Sequence, residues 1–165
     1  MYQRILVPVD GSPPSEAGLK LAIEMAKLTG GQLRLLHVVD PMPFAFSAEG
    51  YGAMATDVLA LMRESGEQIL RAARERVVQD GVAAETVLLD GFGGRLCDRV
   101  GEQVQEWKAD LIVIGTHGRR GVRRMMLGSD AEQVLRTAPV PVLLVRPPEP
   151  AAPADKEDAE LDALL

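Results

Sequence analysis

Cysteine, histidine and aromatic side chains are scarce in this chain of 165 residues. A single cysteine, Cys97, excludes an internal disulfide framework and points to a reducing compartment, with the cytoplasm as the expected location. With His37 and His117 the only histidines, no His/Cys set has the spacing of a zinc site. No apolar stretch approaches the roughly 18 residues of a membrane-spanning helix. Met1-Tyr2-Gln3-Arg4 runs straight into a strand pattern, so a signal peptide is not expected. Two catalytic signatures are missing as well: the GxxxxGK[ST] loop of P-loop NTPases and the G-x-S-x-G nucleophile elbow. No residue stands out as a general base placed for hydrolysis.

Net charge is −6 and unevenly placed. From Pro147 onward, six acidic residues face only Lys156, so the tail carries −5 and the body is close to neutral. Within the body, Arg119, Arg120, Arg123 and Arg124 form a local basic cluster. A short cluster in a neutral body suits a phosphate-bearing small molecule better than a nucleic-acid duplex, which needs a broad basic face. Neither nucleic acid nor membrane is an expected partner.

What the chain does have is concentrated between Leu111 and Pro141. Leu111-Ile112-Val113-Ile114 is an unbroken apolar run, as in a strand buried on both faces of a parallel sheet. Gly115 and Gly118 follow, where missing side chains allow a tight turn and close approach of a ligand. After the basic loop, Gly128-Ser129 precede Ala131, Val134, Leu135 and Ala138, which fit one helix face. Free N–H groups and the dipole at a helix start favour an anion, and phosphate is the natural one. Ser129-Asp130-Ala131-Glu132 also spells a capping box, which would make Ser129 structural. The loop exceeds the roughly 2–6 residues of a plain connection, which favours function.

The rest of the chain alternates strand and helix patterns. Tyr2 to Val9 reads as the first strand; Ser12 caps a helix reaching about Leu28, with Ala17, Leu21, Met25 and Leu28 facing inward. Leu33 to Val39 is the second strand, with His37 packed in the sheet, and the crossover is right-handed. Pro41 to Gly52 is a loop holding Phe44, Phe46 and Tyr51, either a cover for the sheet rim or a lid over a base. Met54 to Gln79 is a helix with Met54, Val58, Leu61, Ile69, Ala73 and Val77 as its inner stripe. Ala84 to Leu89 is a strand, and a glycine-rich turn over Asp90–Arg95 follows, with Arg95 a further phosphate candidate. Leu96, Val100, Val104 and Trp107 mark the next helix, where Cys97 is inert packing. Val140 to Val145 is the last strand, and Pro141 argues for an edge position. Asp10 stands at the carboxyl end of the first strand, where ligands bind in open α/β sheets, or it caps a turn. The alternation predicts an α/β fold: a single doubly wound, mostly parallel five-stranded sheet with helices on both faces.

Gly115, Thr116-His117, Gly118, the nine residues Arg119 to Leu127, Gly128 and Ser129 form one long pattern. It resembles the nucleotide-binding signature of the universal stress protein family: Gly, two residues, Gly, nine residues, Gly, Ser or Thr. Pro8-Val9-Asp10 followed by Gly-Ser is similar to the family's opening motif. The resemblance covers residues 1–146 and implies strand order 3-2-1-4-5. It leaves 147–165 as a Pro-rich acidic tail, expected to be flexible, that the family does not explain.

The resemblance further implies the ATP-binding type, with an adenine nucleotide (ATP, or AMP or ADP) as ligand and Mg or Mn as candidate companions of the phosphates. Asp10, beside Pro8 and Val9, would hold the nucleoside, and the backbone of Val38 would face the adenine. Gly115, Gly118, Gly128 and Ser129 would wrap the phosphates, with Thr116, His117 and Asp130 adjoining. A homodimer through the last strand is implied as well. Three functions remain open: a nucleotide-binding stress or signalling module with little turnover and an unidentified protein partner, a slow ATPase or phosphotransfer enzyme, and an interaction protein with a vestigial site. The intact loop speaks against the third and the missing catalytic machinery against the second.

Overall fold

Short β-branched runs separated by helices of 9–28 residues leave each strand no hairpin partner in sequence, so parallel pairing through crossovers is the available solution. A computed structural model describes residues 1–39, 52–90, 94–116 and 127–147. The elements are β1 (Arg4–Pro8), α1 (Pro13–Thr29), β2 (Gln32–Val39), α2 (Gly52–Gln79), β3 (Ala83–Asp90), α3 (Leu96–Trp107), β4 (Leu111–Gly115), α4 (Ser129–Thr137) and β5 (Val142–Val145). The sheet runs β3-β2-β1-β4-β5 with every pairing parallel, as expected.

Alternate residues of the central strands serve two cores, which is why their apolar runs are unbroken. Val7, Leu33, Leu35 and Val113 pack against Leu19 and Ile23 of α1 and Leu70 and Val77 of α2. Leu6, Leu36, Ile112 and Ile114 face Val100 and Val104 of α3 and Ala131 and Val134 of α4. The sheet is therefore covered by α1 and α2 on one face and by α3 and α4 on the other.

Three helix faces differ from the expected ones. In α1 the buried residues are Ser15, Gly18, Leu19, Ala22, Ile23 and Ala26, while Leu28 is 87% exposed. Small residues share the contact with Leu19 and Ile23, and a Cβ on Gly18 would lie only 3.4 Å from the Gly115 nitrogen. In α2 the inner stripe passes through Gly66, Leu70, Ala73 and Val77, and Leu61 is 64% exposed. In α4, Leu135 is 46% exposed and Ala131 and Val134 carry the packing. The side chain of Met54 and the whole of 40–51, 91–93, 117–126 and 148–165 lie outside the described residues. The expectations for the aromatic loop, the middle of the glycine-rich turn and nearly all of the tail fall there.

β5 is an edge strand, as Pro141 suggested, but it starts at Val142 rather than Val140. Pro141 has no N–H to donate, and it enters the sheet only through its carbonyl, which accepts from Ile112 N at 3.0 Å. At the same amino-end rim, the Asp110 carboxylate accepts the N–H groups of Gln3 at 2.8 Å and Arg4 at 3.0 Å, securing the start of β1 to β4.

Candidate functional site

In the order β3-β2-β1-β4-β5, successive strands step away from β1 on one side and from β4 on the other. The gap at the carboxyl ends of β1 and β4 is the switch point at which such sheets bind ligands. A cavity of about 730 Å³ opens there, within the roughly 300–1,000 Å³ usual for small-molecule sites. Its floor is Pro8, Val9 and Asp10 after β1, Val38 and Val39 ending β2, and Ile114 and Gly115 ending β4. Gly128, Ser129, Asp130 and Ala131 at the start of α4 contribute another wall.

Asp10 is braced within its turn. Its Oδ1 accepts the Ser12 N–H at 2.9 Å, and its own N–H donates to Ser15 Oγ at 3.1 Å. The turn-capping role is therefore real, and it holds this residue on the cavity wall. Ser12 in turn accepts the Ser15 N–H as the N-cap of α1.

At α4 the N-cap is Gly128, which makes no side-chain cap hydrogen bond. The capping box expected of Ser129 is not formed, because Ser129 is already the first helical residue and stands exposed at the cavity. The first intrahelical bond runs from Glu132 N to Gly128 O at 2.9 Å. The N–H groups of Ser129, Asp130 and Ala131 precede it and are the helix's orphan donors. Gly128's own N–H is spent on the Thr116 carbonyl at 2.8 Å. Gly128 has φ −61° and ψ 143°, a conformation open to any L residue, so glycine is not needed there for its backbone freedom.

Thr116 is buried, and its N–H donates to the Val145 carbonyl at 2.9 Å. Together with the Gly128 bond this ties both ends of the 116–128 loop to the sheet. Thr116 thus anchors the loop base and is not among the cavity-lining residues. Gly115 lines the cavity, yet its missing side chain faces α1: a Cβ there would lie 2.6 Å from the Pro14 carbonyl carbon and oxygen. The expected reason for this glycine, access for a ligand, is replaced by close helix packing. His117, Gly118 and the four arginines of the loop lie outside the described residues.

Val38 presents its backbone to the cavity. Leu36 O accepts the Val9 N–H at 2.8 Å, so Leu36 turns its backbone groups toward β1. Val38, two residues on, turns the same way, past the point where β1 has left the ladder at Pro8. Ser15, Met62, Ser65 and Gln133 also line the cavity and were not foreseen. Ser15 and Gln133 stand within a few residues of motif positions, whereas Met62 and Ser65, inside α2, carry no such signal. Arg95, a foreseen candidate, is exposed on the wall, and the Asp98 carboxylate accepts its N–H at 3.1 Å. Cys97 is buried between α3 and α4, as expected. Asp10 and Asp130 are the carboxylates on the wall. Among the described residues, no group of three or more His, Cys, Asp or Glu could hold a metal ion, and no helix is long and apolar enough to cross a membrane.

The universal stress protein family model matches residues 1–146. The chain belongs to the universal stress protein family. A universal stress protein of Methanocaldococcus jannaschii is 35% identical over 150 residues, covering 90% of this chain and 85% of that one. A universal stress protein from Archaeoglobus fulgidus, solved in complex with dAMP, superposes with a TM-score of 0.62 at 26% identity, covering 87% of this chain and 98% of that one. Another universal stress protein, solved in complex with cAMP, gives a TM-score of 0.61 at 26% identity, with 89% and 98% covered.

Proposed function

We propose that this universal stress protein binds an adenine nucleotide, ATP foremost, in the cavity at the carboxyl ends of β1, β2 and β4, and acts as a stress-response or signalling module with little or no turnover. One observation carries the reading. A single cavity is lined both by the Val38 backbone, a donor and an acceptor suited to a base edge, and by the first turn of α4, whose N–H donors suit phosphate. The relatives solved with dAMP and cAMP support the adenine nucleotide as ligand class.

Asp10 and its preceding residues Pro8 and Val9 border the nucleoside, and Gly115, Gly128, Ser129 and Asp130 border the phosphates, with His117 and Gly118 completing the motif. Mg or Mn would arrive with the phosphates, since among the described residues the wall supplies only Asp10 and Asp130 as carboxylates. Binding is assigned to residues 1–146 and not to the acidic tail 147–165, whose charge of −5 opposes phosphate. The protein is placed in the cytoplasm as a homodimer through β5.

Calorimetric titration of ATP into nucleotide-free protein, with a parallel assay of phosphate release, tests the reading. Micromolar binding with negligible release supports it. Slow but measurable, protein-dependent release supports the slow-ATPase alternative, and absence of binding supports the interaction protein with a vestigial site.

A further inference from the structure

At the β2 edge that faces the cavity, a side chain meets the carbonyl that the next ladder bond would use. β2 keeps pairing with β3 as far as Val39, but its register with β1 ends at Leu36 and Pro8. In a parallel ladder the next rung would carry the Val38 N–H to the Val9 carbonyl. That carbonyl instead lies 2.7 Å from His37 Nδ1. A carbonyl oxygen only accepts, so Nδ1 bears the proton and donates. His37 is 8% exposed, and its ring is packed against α2, where a Cβ on Gly66 would fall 2.7 Å from His37 Cδ2. Glycine is disfavoured in a helix interior relative to alanine, and here it lets α2 close over the imidazole.

We propose that His37 is a positioning residue for base recognition. By satisfying the buried Val9 carbonyl, it keeps the β1–β2 ladder from closing and leaves the Val38 N–H and carbonyl turned to the cavity. That donor–acceptor pair matches the N1 acceptor and amino donor of adenine. It opposes a 6-oxopurine, whose N1 bears hydrogen and whose O6 accepts. The inference rests on the nucleotide-binding reading above.

The test compares the wild-type chain with His37→Leu and with His37→Asn, whose side-chain amide offers a donor near the place of Nδ1. Affinities for AMP and IMP are measured by calorimetry, and amide hydrogen exchange at Val38 is followed in the ligand-free protein. Loss of one well-made base contact should narrow the AMP/IMP ratio of His37→Leu by about tenfold, while His37→Asn stays within about threefold of wild type. The Val38 amide should exchange rapidly in free wild type and become protected in His37→Leu, where the ladder can close. A folded His37→Leu protein with the wild-type ratio overturns the proposal. So does a protected Val38 amide in free wild type, a measurement that stands even if His37→Leu fails to fold. A wild-type chain that binds neither nucleotide contradicts the functional reading and base recognition with it. A protected Val38 amide in a chain that binds AMP overturns the role of His37 alone.

Discussion

Gly115 at the end of β4 and Pro14 in the first turn of α1 are packed backbone to backbone, with room for a hydrogen at position 115 and no more. A Cβ there would also lie 2.9 Å from the Ser15 nitrogen, and backbone atoms cannot swing aside as a side-chain tip can. Gly115→Ala should therefore destabilise the fold by about 1–3 kcal/mol in urea unfolding. Gly101, within α3, meets nothing within 4 Å, so Gly101→Ala should stabilise by about 0.5–1 kcal/mol. Equal effects at the two positions would show that the α1–β4 contact is looser than described.

A second prediction concerns the polar cluster at the other rim of the sheet. Arg34 is buried on β2, donating from Nη1 to Gln103 Oε1 at 2.8 Å and from Nε to Glu85 Oε1 at 3.1 Å. Its guanidinium also sits 5.0 Å from the centre of the Trp107 ring. Glu85 and Glu106, the carboxylates paired with it, are 47% and 67% exposed, so the ion pairs contribute less than the packing and the neutral hydrogen bond. Arg34→Ala should cost about 1–3 kcal/mol, and Arg34→Met should recover more of it than Arg34→Lys, because an ammonium cannot serve the fork and the ring together. Lysine outperforming methionine in chemical denaturation would mean that charge, not packing, dominates.

At the start of α4, stability and binding should separate. Ser129 makes no cap, so Ser129→Ala should leave stability within about 0.5 kcal/mol, whereas loss of a true cap costs about 1 kcal/mol. Gly128→Val keeps an accessible backbone conformation and should melt close to wild type while weakening ATP more than a hundredfold, equivalent to roughly 3 kcal/mol. Titration of a fluorescent ATP analogue with thermal melts on both variants reads the two effects. Wild-type affinity in a well-folded Gly128→Val protein would remove this glycine from the phosphate site.

β5 is half-buried along its whole length and pairs on one side only, with β4. Val142 and Leu144 pack toward one core and Leu143 and Val145 toward the other, leaving an apolar edge. A homodimer through this edge should dissociate in Leu144→Glu. Sedimentation of wild type as a monomer at concentrations well above micromolar would contradict it.

Much of the fold was legible because β-branched runs such as Leu111–Ile114 carry both burial and direction in their composition. The two ends of the Gly115–Ser129 motif were legible as a strand end and a helix start, and Gly115 and Gly128 line one cavity. Small residues concealed the rest. The α1 face of Gly18, Ala22 and Ala26 and the α2 position Gly66 bury backbone rather than bulk, and a search for large apolar side chains passes over them. Gly115 misled for a related reason: its sequence context points to a ligand, while the atoms nearest its missing side chain belong to Pro14 and Ser15. The Arg34 cluster and the His37 contact depend on pairing across strands and helices far apart in sequence, which no local pattern announces.

Amide chemical shifts of isotope-labelled protein titrated with ATP test the central claim most directly. The account predicts saturable changes concentrated at Val9, Asp10, Val38, Ser129 and Asp130, with Trp107 and the Arg34 cluster unmoved. Absence of saturable shifts, or shifts centred away from the carboxyl ends of β1, β2 and β4, would contradict it.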